Sequence, residues 1–521
     1  MTALFMAAQG VRRRELLHLC LGTALLPAAM RQAQAQVAPS ADPFALHVIN
    51  RLGWGPSSQD LMRLQKAGVD AWINQQLQPL PSALTDDLGI TPGEQPRGYL
   101  SQREAVTRYR EVTQLARRDP EAGKAARREL LQQAILDAST ARVMRALYSP
   151  QQLNEVMVDF WFNHFNVFSG KGMDQVLIAS YENEVIRPYA LGRFRDMLGA
   201  TAKHPAMLFY LDNWLSVAPG FQARRSGTKP TPGGLNENYA RELMELHTLG
   251  VDGGYTQSDV TELARMLTGW TFDAKASGPS LFVFNPARHD SGSKQWLRHE
   301  VPPSGQQEGE WALDQLAKHP ATARHISYKL AQHFVADIPP PGLVQKLARR
   351  FTSSDGDIRS VLETLFASPE FRDPAHFGKK FKTPYRYVLS ALRASAVAVR
   401  NVRPVLNALQ QQGMPLYGCP TPDGYKNTEE AWLNPEAITR RVAFSTALGG
   451  GRLPLDELPG SEGSPVSGGM GAVPPSRELD TNTLLATLGS TLSTRTRSLV
   501  ASEPANLQTA LVLGSPDFMR H

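Results

Sequence analysis

The stretch from Asn236 to Phe272, NENYARELMELHTLGVDGGYTQSDVTELARMLTGWTF, is the most informative part of the chain. Asn236 can cap a helix, and Gly250 supplies a C-terminal stop. After the glycine turn a second amphipathic segment begins with its own start signal. The stretch therefore predicts two consecutive helices, the first of which carries carboxylates, an arginine and a histidine.

Helix-length amphipathic segments continue along most of the chain, and alternating runs that would indicate strands are nearly absent. The most strand-like run is Leu281–Phe284. We therefore predict a mainly α fold: one large multi-helix domain over residues 44–521 with at most a minor β element. Segments rich in Pro, Gly and Ser predict mobile loops near residues 217–235 and 450–476.

The N-terminus has the pattern of a signal peptide over residues 1–35. Arg12, Arg13 and Arg14 precede an apolar run, and Ala33-Gln34-Ala35 fits a cleavage site. The paired arginines followed by Glu15 and two leucines also fit the twin-arginine pattern, and an ordinary Sec signal is the alternative. A periplasmic or secreted location is expected, and no apolar run in the mature chain is long enough to cross a bilayer.

Charge and cysteine content exclude several classes of function. The chain has 55 Lys and Arg against 49 Asp and Glu, and removal of the signal peptide leaves 51 against 48, a balance that argues against a nucleic-acid partner. Cys419 is the one cysteine outside the signal peptide, which excludes an intramolecular disulfide and a cysteine metal cluster. Local motifs for hydrolases, kinases and dehydrogenases are absent.

The first candidate site lies on the predicted helix 236–249. Glu237, Arg241 and Glu245 follow one another at i, i+4 and i+8 on one stripe, and we expect Arg241 to be substantially buried and paired with a carboxylate. The functional interpretation is a polar cavity lined by Glu242, Glu245 and His247. The alternative is a salt-bridged helix face. Glu245 and His247 point about 200° apart and so do not form a metal pair.

Two further stretches contain candidate residues. The aromatic helix Leu153–Phe168, which contains the stretch Asp159–Asn166, is expected to be buried, with His164 either a hydrogen-bonded core residue or a ligand or general base. Arg288, His289 and Asp290 follow the strand-like run, where loops often contain site residues; the alternative is a turn capped by Asp290.

Several stretches together resemble the bacterial family called domain-of-unknown-function 1800. The similarity rests on residues 51–56, 160–167, 236–272, 285–290 and 414–425 and extends to the terminal Ser515-Pro516-Asp517-Phe518, so that it covers roughly residues 44–521. The resemblance implies an exported, mainly helical protein whose gene often lies beside that of a second exported, sulfatase-like family. It implies no reaction, cofactor or catalytic residue. Phe162 stands where the family pattern has a histidine, which weakens a metal or haem site on this helix.

Two functional hypotheses follow. The first is an exported enzyme of unknown substrate, with a polar pocket on the 154–168 and 236–249 helices. Its candidate catalytic residues are His164, Arg241, Glu242, Glu245, His247, Arg288, His289 and Asp290. The second is a non-catalytic partner or scaffold of the co-encoded sulfatase-like protein. No cofactor or metal is assigned, and noncovalent haem through His164, His204 or His247 stays open because a single axial histidine has no spacing signature.

Overall fold

The computed structural model describes residues 42–78, 99–221, 234–456 and 479–521. Within them it contains 23 α-helices and four short strands, which confirms the prediction of a mainly α fold with a minor β element. The predicted signal peptide lies outside the described residues, as do positions 222–233 and 457–476 of the two predicted mobile loops. No described helix is both long enough and apolar enough to span a membrane.

The α-helices are numbered here in chain order. The first half of the chain contains α1 Pro43–Leu52, α2 Ser58–Ala67, α3 Val69–Leu77, α4 Gln102–Arg118, α5 Pro120–Tyr148, α6 Gln152–His164, α7 Asp174–Ser180, α8 Phe194–Lys203, α9 Pro205–Tyr210, α10 Asn238–Glu242 and α11 Gln257–Met266. The second half contains α12 Gln306–Lys318, α13 Pro320–Phe334, α14 Pro341–Ser353, α15 Ile358–Phe366, α16 Pro369–Arg372, α17 Pro384–Ala394, α18 Arg403–Gln411, α19 Glu429–Trp432, α20 Pro435–Gly449, α21 Thr481–Leu488, α22 Thr494–Ala501 and α23 Ala505–Leu513.

The strands form two antiparallel hairpins between α11 and α12. Strands β1 (Trp270–Phe272) and β2 (Phe282–Phe284) pair with Trp270 opposite Phe284, and β3 (Lys294–Trp296) and β4 (His299–Val301) pair with Trp296 opposite His299. The strand-like run in the sequence thus corresponds to β2.

Two helical segments wind as π-helices, which the sequence pattern does not reveal. Tyr181–Ile186 continues α7 and leads into a short 3₁₀ turn at Arg187–Tyr189, where Pro188 cannot donate a backbone hydrogen bond. Leu243–Thr248 continues α10 in the same way. π-Helical turns are often found at functional sites. Both segments contain ionisable residues that are buried in the interior.

Helix α6 lies inside the protein. Nearly all of its residues are buried, and its large apolar side chains belong to the continuous hydrophobic core of the described chain. This agrees with the aromatic residues on both of its faces, which predict a buried helix.

The loop of residues 414–427 covers the C-terminal end of α6. The Asn163 side chain donates to the backbone carbonyl of Tyr425 (2.8 Å) and accepts from its N–H (2.7 Å). Gly424 has a φ of +71°, and a Cβ there would lie 2.2 Å from the carbonyl oxygen of Asn163. Only glycine permits this close approach of the loop to the helix.

Candidate functional site

The predicted site residues occupy three separate places. His164 and His247 meet in the interior, at the end of α6 and in the π-helical turn after α10. Arg241, Glu242 and Glu245 are only partly buried. The 288–290 segment lies in the region between β2 and α12.

His164 is held by hydrogen bonds on both ring nitrogens. Its Nε2 lies 3.0 Å from the backbone oxygen of His247, and its Nδ1 lies 2.9 Å from the Lys329 Nζ. Because a carbonyl oxygen can only accept, Nε2 carries the proton, and Nδ1 accepts a hydrogen bond from Lys329. Burial, followed by the charge of Lys329, lowers the pKa of His164 far below its ordinary value, so the ring is neutral.

Further histidines surround this pair. His325, Lys329 and His333 follow one another at i, i+4 and i+8 along α13 and form one stripe. The ring centroid of His164 lies 6.2 Å from that of His325 and 6.1 Å from that of His247. Burial lowers the pKa of His247 to about 3 and that of His325 to about 4. These histidines are therefore uncharged at neutral pH.

The expectation that Arg241 is buried is wrong. Its side chain is 38% exposed; it donates to Glu237 (3.2 Å) and to the side chain of Gln257 on α11 (2.9 Å). Helix α10 buries Tyr239 and Ala240, so the stripe with Arg241 faces outward beside the N-terminal turn of α11. The carboxylate pairing is confirmed, but the pair is superficial.

The two glutamates after Arg241 have different surroundings. Burial, and then the neighbouring charge of Glu245, raise the pKa of Glu242. Glu245 accepts a hydrogen bond from the Tyr255 hydroxyl at 3.3 Å. Neither glutamate hydrogen-bonds to His164 or His247 in the described structure.

The 288–290 segment belongs to a closed ion-pair cluster. Arg265 holds Asp290 with two nitrogens, at 2.8 and 3.1 Å, while His289 Nε2 lies 3.2 Å from Glu308, which also pairs with the fully buried Lys294 at 2.6 Å. Burial opposes ionisation of Glu308, but hydrogen bonds from His289 and Lys294 hold its pKa below the usual range. Asp290 also accepts from the Gly292 N–H (2.9 Å), as the turn interpretation expects.

Arg288 makes hydrogen bonds that hold two backbone segments together. It donates to the backbone oxygen of Trp214 at 2.6 Å, and its own carbonyl accepts from the Ala218 N–H. None of the three residues 288–290 contacts the histidine group around His164 through a hydrogen bond or ion pair in the described part of the chain.

A large buried ionic group in the described part of the chain was not predicted from the sequence. Arg187 binds Glu155 with two nitrogens (2.6 and 3.1 Å) and Glu182 with one (3.1 Å). Arg142 joins Glu182 (3.1 Å) to Asp159. We call the group formed by these five residues and the adjoining Arg145 the arginine–carboxylate network. It contains three arginines and three carboxylates and is neutral overall.

Aromatic rings surround the Arg142 end of this network. The Arg142 guanidinium lies 5.0 Å from the ring centroids of both Phe162 and Tyr417 and 5.8 Å from that of Tyr385. The Tyr417 hydroxyl donates to Glu182 at 2.7 Å, whereas the buried Tyr385 hydroxyl has no hydrogen-bond partner among the described residues. Phe162 thus packs against an arginine.

A cavity opens beside these rings, and we call it the aromatic cleft. It measures about 30 Å³, which is enough for one or a few water molecules and far below the roughly 300–1,000 Å³ of a typical ligand pocket. Its lining comprises Arg142, Asp159, Phe162, Asn163, Asn166, Tyr385, Met414, Pro415, Leu416, Tyr417 and Tyr425.

Asp159 is the acidic residue of the cleft lining. Its side chain is 20% exposed, and one oxygen pairs with Arg142. Burial raises the pKa of this carboxyl, and the opposing attraction of Arg142 does not cancel the effect. The sequence offered one signal for this site: Asp159, like Glu155 and Glu182, interrupts an otherwise apolar helical stretch.

A family model described as a protein of unknown function, DUF1800, matches residues 47–520. The chain belongs to the DUF1800 family. No curated protein and no solved structure matches it.

Three stretches that carry the DUF1800 resemblance meet at the end of α6. The 160–167 stretch provides Asn163, Asn166 and His164, which bind the 414–425 stretch and the turn after α10. Among the described residues of this DUF1800 protein, no three His, Cys, Asp or Glu side chains are arranged to hold a metal ion. The ionisable groups near the end of α6 are the carboxyl of Asp159, the amine of Lys329 and the neutral imidazoles around His164.

Proposed function

We propose that this protein is an exported enzyme in which Asp159 serves as an acid–base group toward an uncharged ligand at the aromatic cleft. The observation that carries the proposal is the position of Asp159, a carboxyl of raised pKa that borders the aromatic cleft. A general acid or base works best when its pKa lies close to the working pH, and burial moves an aspartate in that direction.

The surroundings of Asp159 support an uncharged ligand. With Asp159 ionised, the arginine–carboxylate network beneath the cleft contains equal numbers of positive and negative groups, so it offers no net charge to attract an ion. Much of the lining of the cleft consists of aromatic and apolar side chains, among them Tyr385, Tyr425 and Met414. Because the cavity is so small, a terminal group of a ligand enters it while the remainder lies against the rings.

The test is a screen of the purified mature protein against uncharged nitrophenyl esters and glycosides, whose cleavage releases a coloured product. Asp159→Asn is expected to lower the rate of any substrate found by about 100-fold or more, because general acid–base catalysis contributes about 10²–10⁴. Asp355→Asn is the matched control, since Asp355 forms an exposed pair with Arg193. An Asp159→Asn variant with wild-type rates contradicts the proposal.

A non-catalytic role as partner or scaffold of a co-encoded sulfatase-like protein is the second candidate. The closed cluster of His289, Lys294 and Glu308 favours this role. His289 is one of the predicted site residues, and it and Lys294 both pair with Glu308 inside the protein, so they do not face a ligand. Co-purification of the two proteins from the periplasm, combined with no turnover by the isolated protein, supports this role.

Export is proposed on the basis of the N-terminal sequence. Substitution of both Arg13 and Arg14 by lysine is expected to leave precursor in the cytoplasm if the twin-arginine route is used. Unchanged export assigns the leader to the Sec route.

A further inference from the structure

Two of the buried lysines pair with carboxylates and Lys382 lies over the Phe518 ring, whereas the side-chain amine of Lys329 contacts an imidazole. Lys294 and Lys380 each pair with a carboxylate, Glu308 and Asp337 respectively. Lys329 Nζ instead contacts the neutral His164 ring at 2.9 Å, and among the described residues no carboxylate lies within 4 Å of it. An imidazole accepts a hydrogen bond but supplies no charge that would stabilise the ammonium form.

We propose that Lys329 is a nucleophilic amine that takes an aldehyde or ketone as an imine. The basis is its position at the centre of the His325–Lys329–His333 stripe, with the amine held against the lone pair of His164 Nδ1. The Lys329 residue is partly exposed, and imine formation requires that a small carbonyl compound reach its amine from this exposed side.

The chemistry requires no other reactant. The neutral amine adds to the carbonyl carbon, and the carbonyl oxygen gains a proton that the nitrogen loses, which gives a carbinolamine. Loss of the hydroxyl with the second nitrogen proton releases one water molecule and leaves a carbon–nitrogen double bond on Lys329. His164 is a positioning residue in this scheme, because its lone pair orients the amine.

The electrostatic surroundings favour the neutral amine. Burial, and then the positive charge of Lys426, lower the pKa of Lys329 to about 8, and Asp423 opposes them. The other titratable groups around it are His164 on α6, His247 after α10, and His325 and His333 on its own helix, all with lowered pKa values. At pH 7 about a tenth of such amines are neutral, against about 1 in 2,500 for an ordinary lysine.

This inference does not depend on the aromatic cleft. Asp159 and His164 are five positions apart on α6 and so point about 140° away from each other. If Asp159→Asn leaves every rate unchanged, Lys329 can still form an imine. If Lys329 forms no imine, Asp159 can still act as an acid–base group.

The experiment uses the mature wild-type protein, butanal as the probe and borohydride to trap the imine, with peptide mass spectrometry to locate the adducts. At pH 7 Lys329 is expected to carry at least about tenfold more adduct than the exposed Lys346, with half-maximal trapping near pH 8. Lys380 is the matched control: its pKa is also lowered to about 8, but it is buried against Asp337 and should remain unmodified.

Two variants outside the core sharpen the test. Lys426→Gln removes a nearby positive charge and should move half-maximal trapping to higher pH; Asp423→Asn removes a negative charge and should move it to lower pH. Trapping at Lys329 that is no greater than at Lys346, or that follows the pH profile of Lys346, overturns the proposal. Shifts absent from both variants overturn it as well.

Discussion

Two arginine–carboxylate groups in this protein have the same chemistry and opposite surroundings. The arginine–carboxylate network beneath the aromatic cleft joins residues far apart in sequence, such as Arg142 and Glu182, and is buried. The Arg241–Glu237 pair joins neighbours on one helix, and about a third of each side chain is exposed. An i, i+4 pattern therefore identifies a pair of side chains but does not show how deeply the pair is buried.

The largest expected effect is a loss of free energy of unfolding on acidification, because the interior also buries several histidines. Burial lowers the pKa of His47, His204 and His247 from 6.5 to about 3. Below pH 6.5 the unfolded chain binds protons that the folded chain does not, so stability is complete above pH 6.5 and falls as the pH falls toward 3. At pH 5 each histidine should cost about 2 kcal/mol, or about 6 kcal/mol for the three.

Urea denaturation at pH 7.5 and pH 5 measures this loss. His247→Gln should reduce the difference between the two pH values by about 2 kcal/mol. His299→Gln is the matched control, since His299 is exposed and should leave the difference unchanged. A free energy of unfolding that does not change between the two pH values would contradict the burial of these rings.

Removal of Arg187 should have the next largest effect. Arg187→Ala leaves Glu155 and Glu182 buried without their shared partner, and we expect a loss of about 3–5 kcal/mol in the free energy of unfolding. Arg193→Ala breaks an exposed pair with Asp355 and should cost at most about 1 kcal/mol. Equal losses for the two variants would remove the distinction between deep and superficial pairs.

Substitution of the two tyrosines at the cleft distinguishes the stability contribution of a hydrogen bond from that of a ring contact. Tyr417→Phe removes the donor to Glu182 while keeping the ring beside Arg142, and should cost about 1.5–3 kcal/mol. Tyr385→Phe removes a buried hydroxyl without a partner and should be neutral or slightly stabilising. Chemical denaturation of both variants tests this contrast. A Tyr417→Phe variant as stable as Tyr385→Phe would show that the Glu182 contact adds nothing.

Local signals predicted much of the fold. For example, α5 starts with ordinary helix-start residues, because Asp119 caps it and Pro120 is its first residue. The buried aromatic helix and the strand-like run were also correct. Two π-helical segments were not predicted, since i to i+5 bonding changes which side chains face inward. This winding places His247 against His164 while Glu245 stays near the surface with Tyr255.

The candidate site was less accessible to prediction. Arg142 and Asp159 are 17 positions apart and Arg142 and Glu182 are 40 apart, and only the packing of α5, α6 and the π-helical segment after α7 brings them together. Lys329 lies 165 positions from His164. Periodicity describes one helix at a time, so it identified single members of each group and missed their partners.

The smallest expected effect belongs to Arg241, on which the original hypothesis of a site after residue 236 depended. Arg241→Ala removes contacts to Glu237 and Gln257, both on the surface, and water can solvate the freed carboxylate. We therefore expect a loss of no more than about 1 kcal/mol. Urea denaturation beside Arg187→Ala makes the comparison direct. A loss of free energy of unfolding as large for Arg241→Ala as for Arg187→Ala would show that this face of α10 is buried. Glu242 and Glu245 would then again be candidates for the lining of a functional pocket.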